Sequence, residues 1–196
     1  MGIFPSKFKY ALISLLGKEG KDLKNPLNYR PISLLEVPGK IMERLVHDRL
    51  VKYLEHNHKL NINQYAFRKL RGTQQAIAKL YETVSLSQRE GQGCNIICRD
   101  VAKAFDKVWH EGLKFKILQL ELPEIYEKLL CNFITERKAR IKFNNHESNI
   151  INLLSGVPQG SILSPTLYNV YTADLPPPGP GCTDVSFADD NTQIVA

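Results

Sequence analysis

Apolar and polar positions change period several times along this chain, and each change predicts an element. Ala11-Leu12-Ile13-Ser14-Leu15-Leu16 reads as a strand, followed by the charged turn Gly17-Lys18-Glu19-Gly20-Lys21-Asp22 and a second strand around Tyr29–Ser33. Two strands around a basic loop would project Lys18, Lys21 and Arg30 toward an anion, although most lysines in such loops are simply solvated. From Lys40 to Leu54, Ile41, Met42, Leu45, Val46, Leu50, Tyr53 and Leu54 recur at helical spacing. That stripe predicts a surface helix with no special function. Asn63–Arg68 precedes another helix that starts at Thr73 and shows Ile77, Leu80, Tyr81 and Val84 on one face.

Cys94–Arg99 is β-leaning, and Asp100 stands where the run gives way. Leu113, Ile117 and Leu120 form one helical stripe. Pro123 in a first turn opens a second, with Ile125, Leu129, Leu130 and Phe133. Arg137–Asn144 alternates, Ala139, Ile141 and Phe143 against Arg140 and Lys142, then turns at Asn144-Asn145 into a strand over 150–154. The loop Ser155–Ser161 holds two glycines and a proline. Ser164 as cap and Pro165 in the first turn start a helix that the proline-rich 176–181 ends. Val185–Val195 reads as a hairpin with Asp189 and Asp190 at its tip.

An Asp-Asp pair in a turn is usually a matter of local hydrogen bonding. Asp100 changes the picture, because a carboxylate at a strand end facing a carboxylate-tipped hairpin can hold two divalent cations. Hard ions such as Mg2+ take a few carboxylate oxygens and leave room for water and phosphates. Two of them roughly 3.5–4 Å apart would clamp an in-line phosphoryl transfer. Neighbouring strand residues face opposite ways, so only one of Asp189 and Asp190 can point squarely at such a centre.

These residues also carry a family resemblance. Asp100-Val101-Ala102-Lys103-Ala104-Phe105-Asp106, Ser155-Gly156-Val157-Pro158-Gln159-Gly160-Ser161 and Phe187-Ala188-Asp189-Asp190 resemble, in order, the three palm motifs of reverse transcriptases. Asn28-Tyr29-Arg30-Pro31-Ile32-Ser33-Leu34-Leu35 resembles the fingers motif of the non-LTR, LINE-type branch. Val108-Trp109-His110 and Ser164-Pro165-Thr166-Leu167-Tyr168-Asn169 point to a jockey-like element. The resemblance implies an α+β right-hand polymerase: fingers, and an antiparallel palm sheet packed with helices. The expected division is fingers over 1–93, the palm strand with the first aspartate over 94–113, helices and a hairpin over 114–154, and the palm's nucleotide loop and catalytic hairpin over 155–196. No thumb is expected within this sequence.

The implied activity is RNA-directed DNA polymerisation, in which deoxynucleoside triphosphates extend a DNA primer on an RNA template with two Mg2+ ions, or Mn2+. Asp100 and Asp189 would be the principal metal ligands, with Asp190 auxiliary and the Val101 carbonyl an extra oxygen. Lys18 and Arg30 match fingers residues that meet the triphosphate, and Arg30 can do so with a bidentate fork. Gln159 and Gly160 match the loop against nucleotide and template. Phe105, which by itself would read as core, matches the steric gate that excludes a 2′-hydroxyl. Asp106 is expected to cap a turn or face solvent, and Gln64, Phe67 and Arg68 to shape the template track. Ala66 stands where the LINE pattern has glycine and would be strained if that position needs a positive φ. Arg99 replaces an apolar residue and would be costly if buried without a partner. The competing reading is therefore a truncated, inactive remnant that at most binds nucleic acid. An unrelated two-metal nuclease leaves the Gln159-Gly160 loop and Phe105 unexplained.

Composition narrows the setting. The 196 residues, 43% hydrophobic and 23% charged, suit one sizeable core and not two ordinary domains. A net charge of +6 suits a phosphate-bearing partner without proving one. No apolar run approaches a membrane span and no signal peptide opens the chain, so an intracellular, soluble protein of cytoplasm or nucleus is expected, with no membrane partner. Four cysteines without C-x-x-C spacing argue against a zinc ribbon and for reduced, buried thiols.

Overall fold

In the computed structural model, which describes residues 2–195, the alternating runs become two sheets. Met1 and Ala196, the outer ends of the first and last expected segments, lie outside the described residues. β1 (Tyr10–Gly17) pairs antiparallel with β2 (Tyr29–Leu34), as two strands around a charged loop should. On its other side β1 pairs parallel with β4 (Arg137–Phe143), Tyr10 opposite Lys138 and Ser14 opposite Lys142. β4 in turn pairs antiparallel with the short β5 (His146–Glu147) and β6 (Ile151–Leu153). The second sheet has the order β3-β8-β7, formed by Asn95–Arg99, Asp190–Val195 and Cys182–Phe187, and is antiparallel throughout. It is the expected palm sheet.

Five helices cover these sheets. α1 is Val37–His56, α2 Thr73–Arg89, α3 His110–Leu118, α4 Glu124–Ile134 and α5 Ser164–Tyr171. The core draws Leu50 and Leu54 from α1, Leu113 and Ile117 from α3, Leu130 and Phe133 from α4, and Leu167 from α5. Fully burying one such side chain stabilises by about 1.5–3 kcal/mol. α2 lies on β7 and β8. Among the described residues no helix is long and apolar enough to cross a membrane.

Several expectations need correction. The buried face of α1 is Gly39, Glu43, Val46, Leu50 and Leu54, whereas Ile41 and Leu45 are more than half exposed. A carboxylate thus sits inside a stripe that was expected to be apolar. On α2, Ala76 and Ser87 are buried while Ile77 and Tyr81 face outward, because the small residues let the helix approach the sheet. Ile125 of the α4 stripe is exposed. Arg137 is completely buried on the inner face of β4, its guanidinium 4.9 Å over the Phe133 ring, and burial lowers its pKa to about 10. Pro123, expected inside the first turn, stands just outside α4, and Ser164, expected as cap, is the first residue of α5, with Leu163 outside it. The four cysteines are free, but Cys98 is exposed and the others only half-buried. Ala66 has no positive φ; the left-handed residue is its neighbour Phe67, at φ 57°.

Candidate active site

Between the two sheets lies an open cleft of about 670 Å³, lined by Lys18, Arg30, Asp100, Val101, Lys103, Phe105, Asp106, Gln159 and Asp189 among others. One wall is acidic. β3 ends at Arg99, paired opposite Asn191 of β8, so Asp100 emerges where the ladder stops. β7 and β8 close through a two-residue turn, Ala188-Asp189, between the paired Phe187 and Asp190. Such turns need a positive φ, and Ala188 supplies it at 58°. The turn offers Asp189 to the cleft. Asp190, the first residue of β8, is exposed and is not among the residues lining this cleft.

The facing wall is cationic. Lys18 follows β1, with its backbone N–H bonded to Asn28 O at 2.8 Å and its Nζ donating to Leu27 O at 3.2 Å. Arg30 lies on β2 opposite Leu16 and is exposed. The floor is the 155–161 loop. Its Gln159 O accepts from Ser33 N–H at 2.7 Å, which fastens the loop to β2. Gly160, at φ 118°, passes so close that a Cβ would stand 2.6 Å from Ser33 O; no other residue fits without moving the strand. The Gln159 side chain donates to Asp106 Oδ1 at 2.9 Å. Asp106 thus neither caps a turn with its carboxylate nor faces solvent freely: it is half-buried and orients Gln159.

Behind the loop, Glu43 is almost wholly buried and accepts from Ser161 Oγ at 2.5 Å, Ile162 N–H at 2.7 Å and Leu163 N–H at 3.3 Å. It places an anion at the start of α5, where free N–H groups gather. A charged residue on an otherwise apolar helical face was the only sequence signal for it.

Phe105 is half-buried and lines the cleft. Its ring stacks on Tyr168, centroids 4.7 Å apart at 24°, and meets Phe67 edge-on at 6.3 Å. Burial, and then the neighbouring charges of Asp189, Tyr171 and Asp100, push the Tyr168 phenol up to about 12. Gln64 and Arg68 are both held by intramolecular bonds. Arg68 forms an ion pair with Glu55, at 2.6 and 2.8 Å, and donates to Asn61 O. Gln64 is turned inward against the Ala188 peptide. Arg99 is exposed and lies 3.8 Å from Asp184, so the cost expected of a buried, unpaired guanidinium does not arise.

Comparison with known proteins gives the chain a family. Residues 18–195 match the family described as reverse transcriptase (RNA-dependent DNA polymerase). The chain is 37% identical over 191 residues to the probable RNA-directed DNA polymerase from transposon X-element of Drosophila melanogaster, covering 95% of this chain and 21% of that protein. It is 33% identical over 196 residues to the RNA-directed DNA polymerase from mobile element jockey of the same species, covering 100% and 21%. It therefore spans about a fifth of the length of these relatives. Among solved structures, telomerase from Candida tropicalis in complex with a fragment of telomeric RNA superposes with a TM-score of 0.66 at 13% identity, over 97% of this chain and 36% of that one. At that identity the likeness is one of fold.

Proposed function

The chain belongs to the reverse transcriptase (RNA-dependent DNA polymerase) family, and from that premise we propose that it forms the fingers and palm of a jockey-like, non-LTR retrotransposon polymerase. In this reading it extends a DNA primer with deoxynucleoside triphosphates along an RNA template, inside the cell. The observation that carries the proposal is the cleft itself: two carboxylates on one wall, two cations on the other, and an aromatic ring and an oriented amide between them.

The donor set suits hard divalent cations. Asp100 and Asp189 both line the cleft, and among the described residues no group of three His, Cys, Asp or Glu gathers anywhere. Zinc or a soft metal asks for a fuller protein ligand set. Mg2+ or Mn2+ asks for a few carboxylate oxygens and takes the rest from water and substrate phosphates. Asp100, Asp189 and the Val101 carbonyl would hold such ions, which neutralise developing charge and activate the attacking oxygen. Asp190, the first residue of β8 beside Asp189, would be auxiliary.

The remaining roles belong to the chain. Arg30 and Lys18 face the carboxylates across the cleft and receive the triphosphate, Arg30 with two parallel donors. Phe105, backed by Tyr168, sets a floor under the sugar that leaves no space for a 2′-hydroxyl. Asp106 fixes the Gln159 amide, and Gly160 lets the loop backbone lie against β2, so the nucleotide meets a preformed surface. Phosphoryl transfer needs little else than positioning and charge neutralisation.

The test is Mg2+-dependent primer extension with Asp189→Asn. Loss should exceed the roughly 100-fold that outer-shell changes produce, with an unchanged circular dichroism spectrum. Asp106→Asn keeps the oxygen that accepts from Gln159 and should lose far less. An Asp189→Asn protein that extends primers like the parent would sink the assignment.

A further inference from the structure

We propose that Gln64 is a positioning residue for the metal-binding turn: its side-chain amide clamps the Ala188 peptide and so fixes the direction of Asp189. The inference rests on the polymerase reading above and adds to it a residue 125 positions before the aspartate it serves.

The contacts are reciprocal and complete. Gln64 Nε2 donates to Ala188 O at 3.1 Å, and Gln64 Oε1 accepts from Ala188 N–H at 2.9 Å. The same oxygen accepts from Ala66 N–H at 3.0 Å, which holds the side chain in its own loop. Gln64 is 4% exposed, so water does not compete for these bonds. Alongside, Tyr65 N–H donates to Ser186 O at 2.9 Å and Ser186 N–H to Asn63 O at 2.8 Å, a single parallel bridge that carries the 63–66 loop to the hairpin.

The clamp answers a specific difficulty. Ala188 holds φ 58°, a conformation that a residue with a Cβ rarely adopts without outside support. A two-residue turn with a non-glycine there can relax toward other turn types, and Asp189 would swing with it. Gripping both the N–H and the C=O of one residue leaves that residue no alternative rotation. Only an amide of this length offers a donor and an acceptor at once; a carboxylate or an aliphatic group of the same shape cannot.

Three measurements on the purified chain test the clamp: Mn2+ binding followed by electron paramagnetic resonance, hydrogen exchange at the Ala188 amide, and primer extension. Gln64→Ala should weaken Mn2+ binding and lower kcat by about 10–100-fold each, expose the Ala188 amide to exchange, and leave KM for the deoxynucleotide within about twofold. Gln64→Glu keeps the shape and the acceptor but loses the donor, so it should fall between parent and Gln64→Ala. Adding Ala188→Gly to Gln64→Ala should restore part of the Mn2+ affinity, because glycine holds a positive φ unaided. Unchanged Mn2+ affinity in Gln64→Ala, a Gln64→Glu protein equal to the parent, or a loss confined to KM would overturn the clamp. Asp189→Asn separates the two levels. If it abolishes Mn2+ binding while Gln64→Ala does not, the clamp alone fails; if it too leaves binding and extension unchanged, the polymerase reading fails first.

Discussion

The wall that carries Asp100 and Asp189 is a three-stranded sheet whose outer strand, β3, is exposed at every residue. The wall that carries Lys18 and Arg30 belongs to a sheet in which β1 is paired on both sides. Strand pairing fixes most of the second wall, yet its charged tips are loosely held: Lys18 Nζ donates to Leu27 O at 3.2 Å, and Arg30 is exposed. On the first wall the pairing is thin, but the Ala188-Asp189 turn is gripped by Gln64 and the Phe105 ring is backed by Tyr168. The difference suits what each wall would do in the proposed polymerase. Carboxylates that share small ions must keep their mutual placement before anything binds. Cations that receive a flexible polyanion can be ordered by the ligand itself.

The largest test of that contrast concerns the floor joining the walls. Glu43→Leu removes the acceptor for Ser161, Ile162 and Leu163 and leaves buried donors unpaired. A loss of roughly 3 kcal/mol or more in urea unfolding is expected; less than about 1 kcal/mol would show that strand pairing fixes the loop without the carboxylate. Next comes the aromatic floor. Phe105→Val should raise use of ribonucleotides over deoxynucleotides roughly tenfold or more, measured on one primer-template, whereas an unchanged ratio with a fall in stability would make Phe105 a core residue only. The smallest effect concerns Tyr168. Its folded-state pKa is raised from 10 to about 12, so the stability tied to its neutral form is complete below pH 10 and is lost as pH rises toward 12. Ultraviolet titration should show one late phenol that disappears in Tyr168→Phe, with stability at neutral pH little changed.

Much of this architecture was legible in the sequence, and the failures share a cause. Local alternation and turn residues marked β1, β2, β4 and the β7–β8 hairpin, and ordered motifs pointed to Asp100, Asp189, Phe105, Gln159, Lys18 and Arg30, which line one cleft. What could not be read were partners set by long-range packing. Nothing near Gln64 says that it meets Ala188, and nothing near Glu43 says that a loop more than a hundred residues later supplies its donors. Periodicity also misplaced single members of two helical stripes, because Ile41 and Ile77 look more like core than Gly39, Ala76 or Ser87. Small residues mark where backbones approach, a signal that hydrophobicity cannot register.

The parallel pairing of β1 with β4 also sets a timetable. Tyr10 must wait for Lys138 before the cationic wall can close, and at synthesis rates of about 5–20 residues per second that interval lasts roughly ten seconds. Until then the first hairpin stands with one edge bare. The acidic wall is later still, because Asn95 and Arg99 find their partners only when Val195 and Asn191 have emerged. The nascent protein thus assembles its cationic wall first and its acidic wall last. During translation the one wall stands for a time without the other, a basic surface with nothing yet to balance it.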